Sequence, residues 1–367
     1  MVTTPFKRKN MKKNLLLISA LSVALLTGCG DDNEGIPAWP WNDPVEEPEQ
    51  GPEVDDFVEE NTSITALGWE NVKDTYGELP EGLNVYKSPA TLQDRKAIAY
   101  IAVADLNKLD WDVWSVDTRK EDGSYSEATS DAYQTPSQVY DAKEKPAIVI
   151  NGGFFYSVDG ANYTQSLAVS NSTVLAWNIN YASRDWVSIY SPTKAAFVEH
   201  ADGNFEACWT YSNWNYSENY IYSEPAPNSW DNAPCDVPSA TYPVEGVAFS
   251  AQTAIGGSPV LLRGGEVKNT YAEELTDIGA ADASPRTAIG VTTDKKLILF
   301  VCEGRNMTEG VAGLTTEDVA NVLKSLGCTE AVNLDGGGSS CMLVNGQETI
   351  KVSDGEQRSV ASAVMIK

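Results

Sequence analysis

From Lys296 to Leu334 the chain reads as strand, helix, strand, and that order admits few folds. Lys296-Leu297-Ile298-Leu299-Phe300-Val301-Cys302 is an apolar run of strand length. Thr315-Thr316-Glu317-Asp318 then supplies an N-cap with a carboxylate three residues on. Val319, Val322, Leu323 and Leu326 follow at helical spacing, and Gly327 ends the helix. A second short strand, Glu330-Ala331-Val332-Asn333-Leu334, closes the unit. A crossover of this kind makes parallel strands, so the C-terminal ends of both lie at one edge of the sheet. Glu303, Arg305 and Asp335 are therefore expected to open onto that edge, where ligands of such sheets bind. The second end is Asp335-Gly336-Gly337-Gly338-Ser339-Ser340, a carboxylate followed by bare amides and two hydroxyls. Three consecutive glycines permit dihedrals closed to other residues and a close approach of backbone to ligand. Taken alone, the stretch reads equally well as a plain glycine-rich turn.

Elsewhere the alternation is that of strands. Ala97 to Ala104, Trp111 to Val116 and Ala147 to Ile150 are strand patterns, the last running into Asn151-Gly152-Gly153-Phe154-Phe155. Pro136 to Ala142 suits a short helix. Ala254 to Leu262 reads as a strand, a tight turn and another strand, and Asn345-Gly346 is a hairpin signature. Arg286 stands at the mouth of a strand, and Arg358 begins the terminal one. The expected fold is α+β: a mixed, mostly β core with a few helices and at least one strand–helix–strand crossover near the C-terminus. Between Phe205 and Trp230 eight aromatics occur without a clean period. This insert, about residues 205–235, reads either as a wall over a glycan or as a self-packed surface loop.

The N-terminus is of another kind. Residues Lys7 to Lys13 are basic, Leu15 to Leu26 apolar, and Leu26-Thr27-Gly28-Cys29 resembles the lipobox of bacterial lipoproteins. Residues 1–28 are thus expected to be a lipoprotein signal, with Cys29 lipidated after cleavage. Residues 29–60, acidic, rich in proline and without Lys or Arg, are expected to be a disordered tether to a domain spanning 61–367. The implied location is the cell envelope, at the outer membrane or cell surface, with the lipid as the sole membrane contact. Loss of the leader's five basic residues takes the formal charge from −26 to −31, which disfavours nucleic acid as a partner. Of the five remaining cysteines, Cys208 and Cys235 are the expected disulfide, since both lie in the irregular insert.

One histidine, His200, excludes Ser-His-Asp catalysis and multi-histidine metal sites, and no phosphate-binding loop or dinucleotide fingerprint occurs. Carboxylate and arginine chemistry remains, from Glu303, Asp335, Arg286, Arg305 and Arg358, with Asn151 and glycine amides as neutral donors. Paired carboxylates cleave glycosidic bonds, and arginine forks hold phosphate.

The motifs Asn151-Gly152-Gly153-Phe154-Phe155, Gly256-Gly257-Ser258-Pro259, Pro285-Arg286-Thr287, Glu303-Gly304-Arg305 and Asn333-Leu334-Asp335-Gly336-Gly337-Gly338-Ser339-Ser340 resemble, in order, those of the phosphodiester glycosidase family. The resemblance implies hydrolysis of a sugar-1-phosphodiester at the glycosidic C–O bond, with release of an N-acetylglucosamine-like sugar and a phosphomonoester. It implies Asp335 or Glu303 as nucleophile or water-activating base, and Arg286 and Arg358 on the phosphate. Arg305, Asn151, Gly152, Gly336, Gly337, Gly338 and Ser339 would complete the substrate site. The family commonly has Asp-Gly-Arg where this chain has Glu303-Gly304-Arg305, and the aromatic insert is not part of its pattern. No cofactor is required, although a divalent cation on Asp335, Glu303 and Asn151 would give a P–O-cleaving phosphodiesterase instead. A non-catalytic glycan-binding lipoprotein is the third reading.

Overall fold

The computed structural model describes residues 63–126 and 128–367. The expected signal, Cys29 and the tether lie outside the described residues.

Three sheets carry the fold, and every strand pairing within them is antiparallel. The largest has eight strands. Its centre runs Ala99–Asp105, Lys296–Cys302, Arg286–Thr292, Cys328–Asn333 and Val260–Arg263. The predicted crossover is present through the helix Thr316–Ser325. Its two strands are not neighbours, however, because Arg286–Thr292 pairs antiparallel with both. They still point the same way, so Glu303 and Asp335 follow ends on one edge. Alternate residues of Lys296–Cys302 serve two cores. Leu297, Leu299 and Val301 enter the central one, while Ile298, Phe300 and Cys302 pack under the helix with Val319, Val322 and Leu323. Thr315 and Asp318 form the expected capping box, satisfying the first free amides of that helix.

A five-stranded sheet, ordered Gln347–Glu348, Met342–Val344, Ile148–Asn151, Ser362–Ile366, Trp111–Ser115, contributes Ile148, Ile150 and Val364 to the same central core. Its other face is covered by the short helix Pro136–Ala142 through Val139. Asn345 and Gly346 make the expected hairpin, both at positive φ. The terminal strand begins at Ser362, so Arg358 lies in the loop before it.

The aromatic insert is largely structural. Phe205–Ser212 and Asn219–Tyr222 are paired strands of a seven-stranded sheet, with Trp209, Tyr211 and Tyr222 buried. Alternation hid this because both faces of the first strand are covered. The expected disulfide is absent: Cys208 is a buried thiol directed at the Ala196 carbonyl, and Cys235 is directed at that of Pro227. Cys208 lies on a central strand facing core residues, not in an irregular loop.

Candidate active site

The glycine-rich loop is fastened from below by Asn151. Its buried side chain donates to the Asp335 carbonyl at 2.6 Å and accepts from Thr287 Oγ1 at 2.8 Å and the Cys341 amide at 3.1 Å. The Asp335 amide donates to the Gly152 carbonyl at 3.0 Å. Gly152 itself lies against Ser362, where a Cβ would collide with the backbone. Asn151 and Gly152 thus hold the loop, and the Asn151 amide has no group left to offer a ligand or cation.

The side chain of Asp335 is what the loop presents. One carboxylate oxygen accepts from the Gly336 amide at 2.8 Å. Burial pushes its pKa up to about 6, against the opposing pull of the Ser339 hydroxyl, the Gly336 amide and the Arg358 charge. Ser339, itself buried, is reached by Arg358 Nη1 at 3.4 Å. Gly337 at φ +60° packs against the Arg305 guanidinium, and Gly338 against that of Arg358. Any side chain at Gly338 would displace Arg358, which explains the third glycine.

Arg305 and Arg358 therefore flank the loop with half-exposed heads, and a carboxylate that sequence reasoning missed lies between them. Asp354 takes Arg358 Nε at 2.9 Å and Nη2 at 2.5 Å on one oxygen, and Arg305 Nη1 at 3.4 Å on the other. The signal was present as Asp354-Gly355 in a turn four residues before Arg358.

Arg286 is differently placed. It is buried, and its guanidinium donates to four backbone carbonyls: Leu314 at 3.0 Å, Ile278 at 3.3 Å, Gly279 at 2.6 Å and Asp282 at 2.8 Å. Its position is that of a brace for the 278–282 segment beside the loop. Glu303 is buried as well. One of its oxygens accepts from the Lys351 amide at 3.1 Å and the other has no protein partner. Pro285 separates the two carboxylate-bearing tips, since its carbonyl accepts from Gly337 and its ring packs on Gly304.

Beside the loop opens a cavity of about 540 Å³. Tyr156, Tyr181, Trp186 and Trp230 line it with Phe154, and Lys194 and the Arg184–Asp277 pair supply polar groups. Ser258, one of its lining residues, exchanges hydrogen bonds with Asn333, two residues before Asp335: the Ser258 amide donates to the Asn333 carbonyl at 2.9 Å, and Asn333 Nδ2 to the Ser258 carbonyl at 2.7 Å. Aromatic faces with a few convergent polar groups suit a sugar. Most of these residues come from irregular segments with no periodicity to read, although Trp230 belongs to the aromatic insert.

No three His, Cys, Asp or Glu side chains come together as a metal cluster among the described residues.

The mostly β fold thus presents an acidic strand tip flanked by two arginines and, separately lined, an aromatic cavity. Residues 144–367 match the phosphodiester glycosidase family, and the chain belongs to it. Over 82 residues it is 38% identical to a prophage-derived uncharacterized protein, YomE, of Bacillus subtilis, a match covering 22% of this chain and 12% of that one. Among solved structures it is similar to the catalytic domain of zebrafish N-acetylglucosamine-1-phosphodiester alpha-N-acetylglucosaminidase, auto-inhibited by its pro-peptide (20% identity, TM-score 0.49, covering 81% of this chain and 87% of that one). A hypothetical protein from Synechocystis is similar at 15% identity and a TM-score of 0.49, covering 79% and 64%.

Proposed function

We propose that the chain hydrolyses sugar-1-phosphodiesters at the glycosidic C–O bond, releasing free sugar and a phosphomonoester. The observation that carries this reading is the Asp335 carboxylate, its pKa raised to about 6, on a loop that Arg305 and Arg358 flank and that follows Asn333, which is hydrogen-bonded to Ser258 of the aromatic-lined cavity. In this reading the sugar enters the cavity and the phosphate faces the arginines. Asp335 in its carboxylate form takes the proton of a water attacking C1, or attacks C1 itself to give an ester that water then hydrolyses, as the C–O bond breaks. The bonding electrons leave with the phosphate oxygen, and the arginines offset the charge that develops there. A phosphomonoester is a stable leaving group, so the demand for a strong general acid is small.

The family membership supports the hydrolase class, and this geometry supports C–O over P–O cleavage. The cation-dependent alternative asks Asn151 for a ligand, yet its amide is already committed at both atoms. The test is incubation of the purified protein with an N-acetylglucosamine-1-phospho-mannose diester, with and without a chelator. Free N-acetylglucosamine and mannose 6-phosphate in equal amounts, unaffected by chelator, are expected. Release of N-acetylglucosamine 1-phosphate would refute the reading.

The same proposal places the enzyme on a bacterial envelope through a lipid on Cys29. The basic and apolar leader ending in Leu26-Thr27-Gly28-Cys29 supports it. Metabolic labelling with a fatty acid is expected to mark the wild-type protein and not Cys29→Ala; equal labelling of both would contradict it.

A further inference from the structure

The carboxylate of Asp354 fills the space where the proposed reaction needs a phosphate. It lies against Gly338, where a Cβ would collide with both of its oxygens, and it draws on Arg358 and Arg305 together. Three features separate this contact from a structural brace. First, all three side chains are substantially exposed, at 34% for Asp354, 40% for Arg358 and 50% for Arg305, so solvent already reaches the ion pairs and weakens them. Second, the bonding is uneven: Arg358 places two donors on one oxygen, while Arg305 reaches the other only at 3.4 Å. A phosphate has more oxygens to offer two guanidinium forks than a carboxylate has, and would match them better. Third, Asp354 sits in a turn beside Gly355, at φ +84°, whose own position has open space around it.

We propose that Asp354 is an internal stand-in for the substrate phosphate, holding Arg305 and Arg358 in place when the site is empty and being displaced by substrate or by the phosphomonoester product. The inference rests on the phosphodiester reading for the identity of the natural anion. The seat itself is defined by the two arginines and the bare Gly338 backbone. Displacement leaves the Asp354 charge close to the incoming phosphate, and that repulsion weakens binding. The device keeps the arginines from collapsing onto other acids of a strongly acidic chain and speeds release of the phosphomonoester.

Calorimetric titration of inorganic phosphate into the wild-type protein, Asp354→Asn, Asp354→Ser and Arg358→Gln, at one ionic strength, tests the proposal. Both Asp354 variants are expected to bind phosphate roughly tenfold more tightly than wild type, and Arg358→Gln more weakly. Two substitutions guard against a rotamer peculiar to one of them. If both bind phosphate equally or more weakly than wild type, Asp354 braces the arginines and the proposal is wrong. Absence of phosphate binding in all four proteins overturns it too. If phosphate binding tightens as expected but no diester is hydrolysed, the seat stands and only the catalytic reading falls.

Discussion

Arg286 and Arg358 look alike in sequence, each next to a strand of the C-terminal half, yet their environments are opposite. Arg286 is buried and donates to four carbonyls, so its charge is spent on holding one segment of backbone. Arg358 keeps 40% of its side chain exposed and shares a carboxylate with Arg305. A guanidinium surrounded by carbonyls cannot turn to a substrate without leaving those carbonyls bare, whereas one paired to a solvent-reached carboxylate can exchange partners at little cost. What an arginine does in this protein is set by burial and by what already saturates it, not by its place along a strand.

The largest effect expected is at Asp335, on the loop that Arg305 and Arg358 flank. Asp335→Asn removes the working carboxylate and is expected to lower kcat by about 10²–10⁴-fold while raising Tm at neutral pH, since the buried charge is gone. The wild-type profile sharpens this. Because the Asp335 pKa is raised to about 6 and the carboxylate is the working form, kcat/KM should rise with pH through about 6 and level above it. A limb that falls above 6 would assign Asp335 as the acid. The stability sign follows as well: with the folded pKa above the unfolded one, Asp335 opposes folding progressively as pH rises from about 4 to about 6.

Next in size is Arg286→Met. It leaves buried carbonyls unsatisfied and should destabilise the fold by on the order of 3 kcal/mol, read by chemical denaturation. The folded fraction should keep a near-normal KM. An increase in KM without loss of stability would make Arg286 a substrate ligand and erase its contrast with Arg358. Arg358→Gln should do the reverse, raising KM for a phosphodiester by about tenfold while leaving Tm within a degree or two. Smallest is Trp186→Ala on the cavity rim, where the ring is 76% exposed. A loss of about threefold in kcat/KM, on the scale of partial loss of an exposed stacking contact, is expected from steady-state assays.

The sequence carried the frame well where regular periods were at work. The apolar strand Lys296–Cys302, the capped helix after it and the shared edge of Glu303 and Asp335 could all be read from residue spacing. The intervening antiparallel strand could not, because strand order depends on which loops close and not on local pattern. The place of Asp335 just beyond a strand end was legible from its glycines. The demotion of Arg286 was not, since the carbonyls that saturate it come from residues 278–282 and 314, in segments without regular structure around them. The cavity walls from Tyr181 to Trp186 lie in another such segment, so they left no periodic trace. The buried Trp209 and Tyr222 were misread for the opposite reason: a strand covered on both faces does not alternate.

Isotope transfer from solvent separates attack at the sugar carbon from attack at phosphorus. The protein would turn over an N-acetylglucosamine-1-phospho-mannose diester in ¹⁸O-labelled water, with the mannose 6-phosphate analysed by mass spectrometry. An unlabelled phosphomonoester, with ¹⁸O at C1 of the freshly released N-acetylglucosamine, is the predicted result. One ¹⁸O in a phosphate product would mean that water attacks phosphorus, and the role given to Asp335 would be wrong.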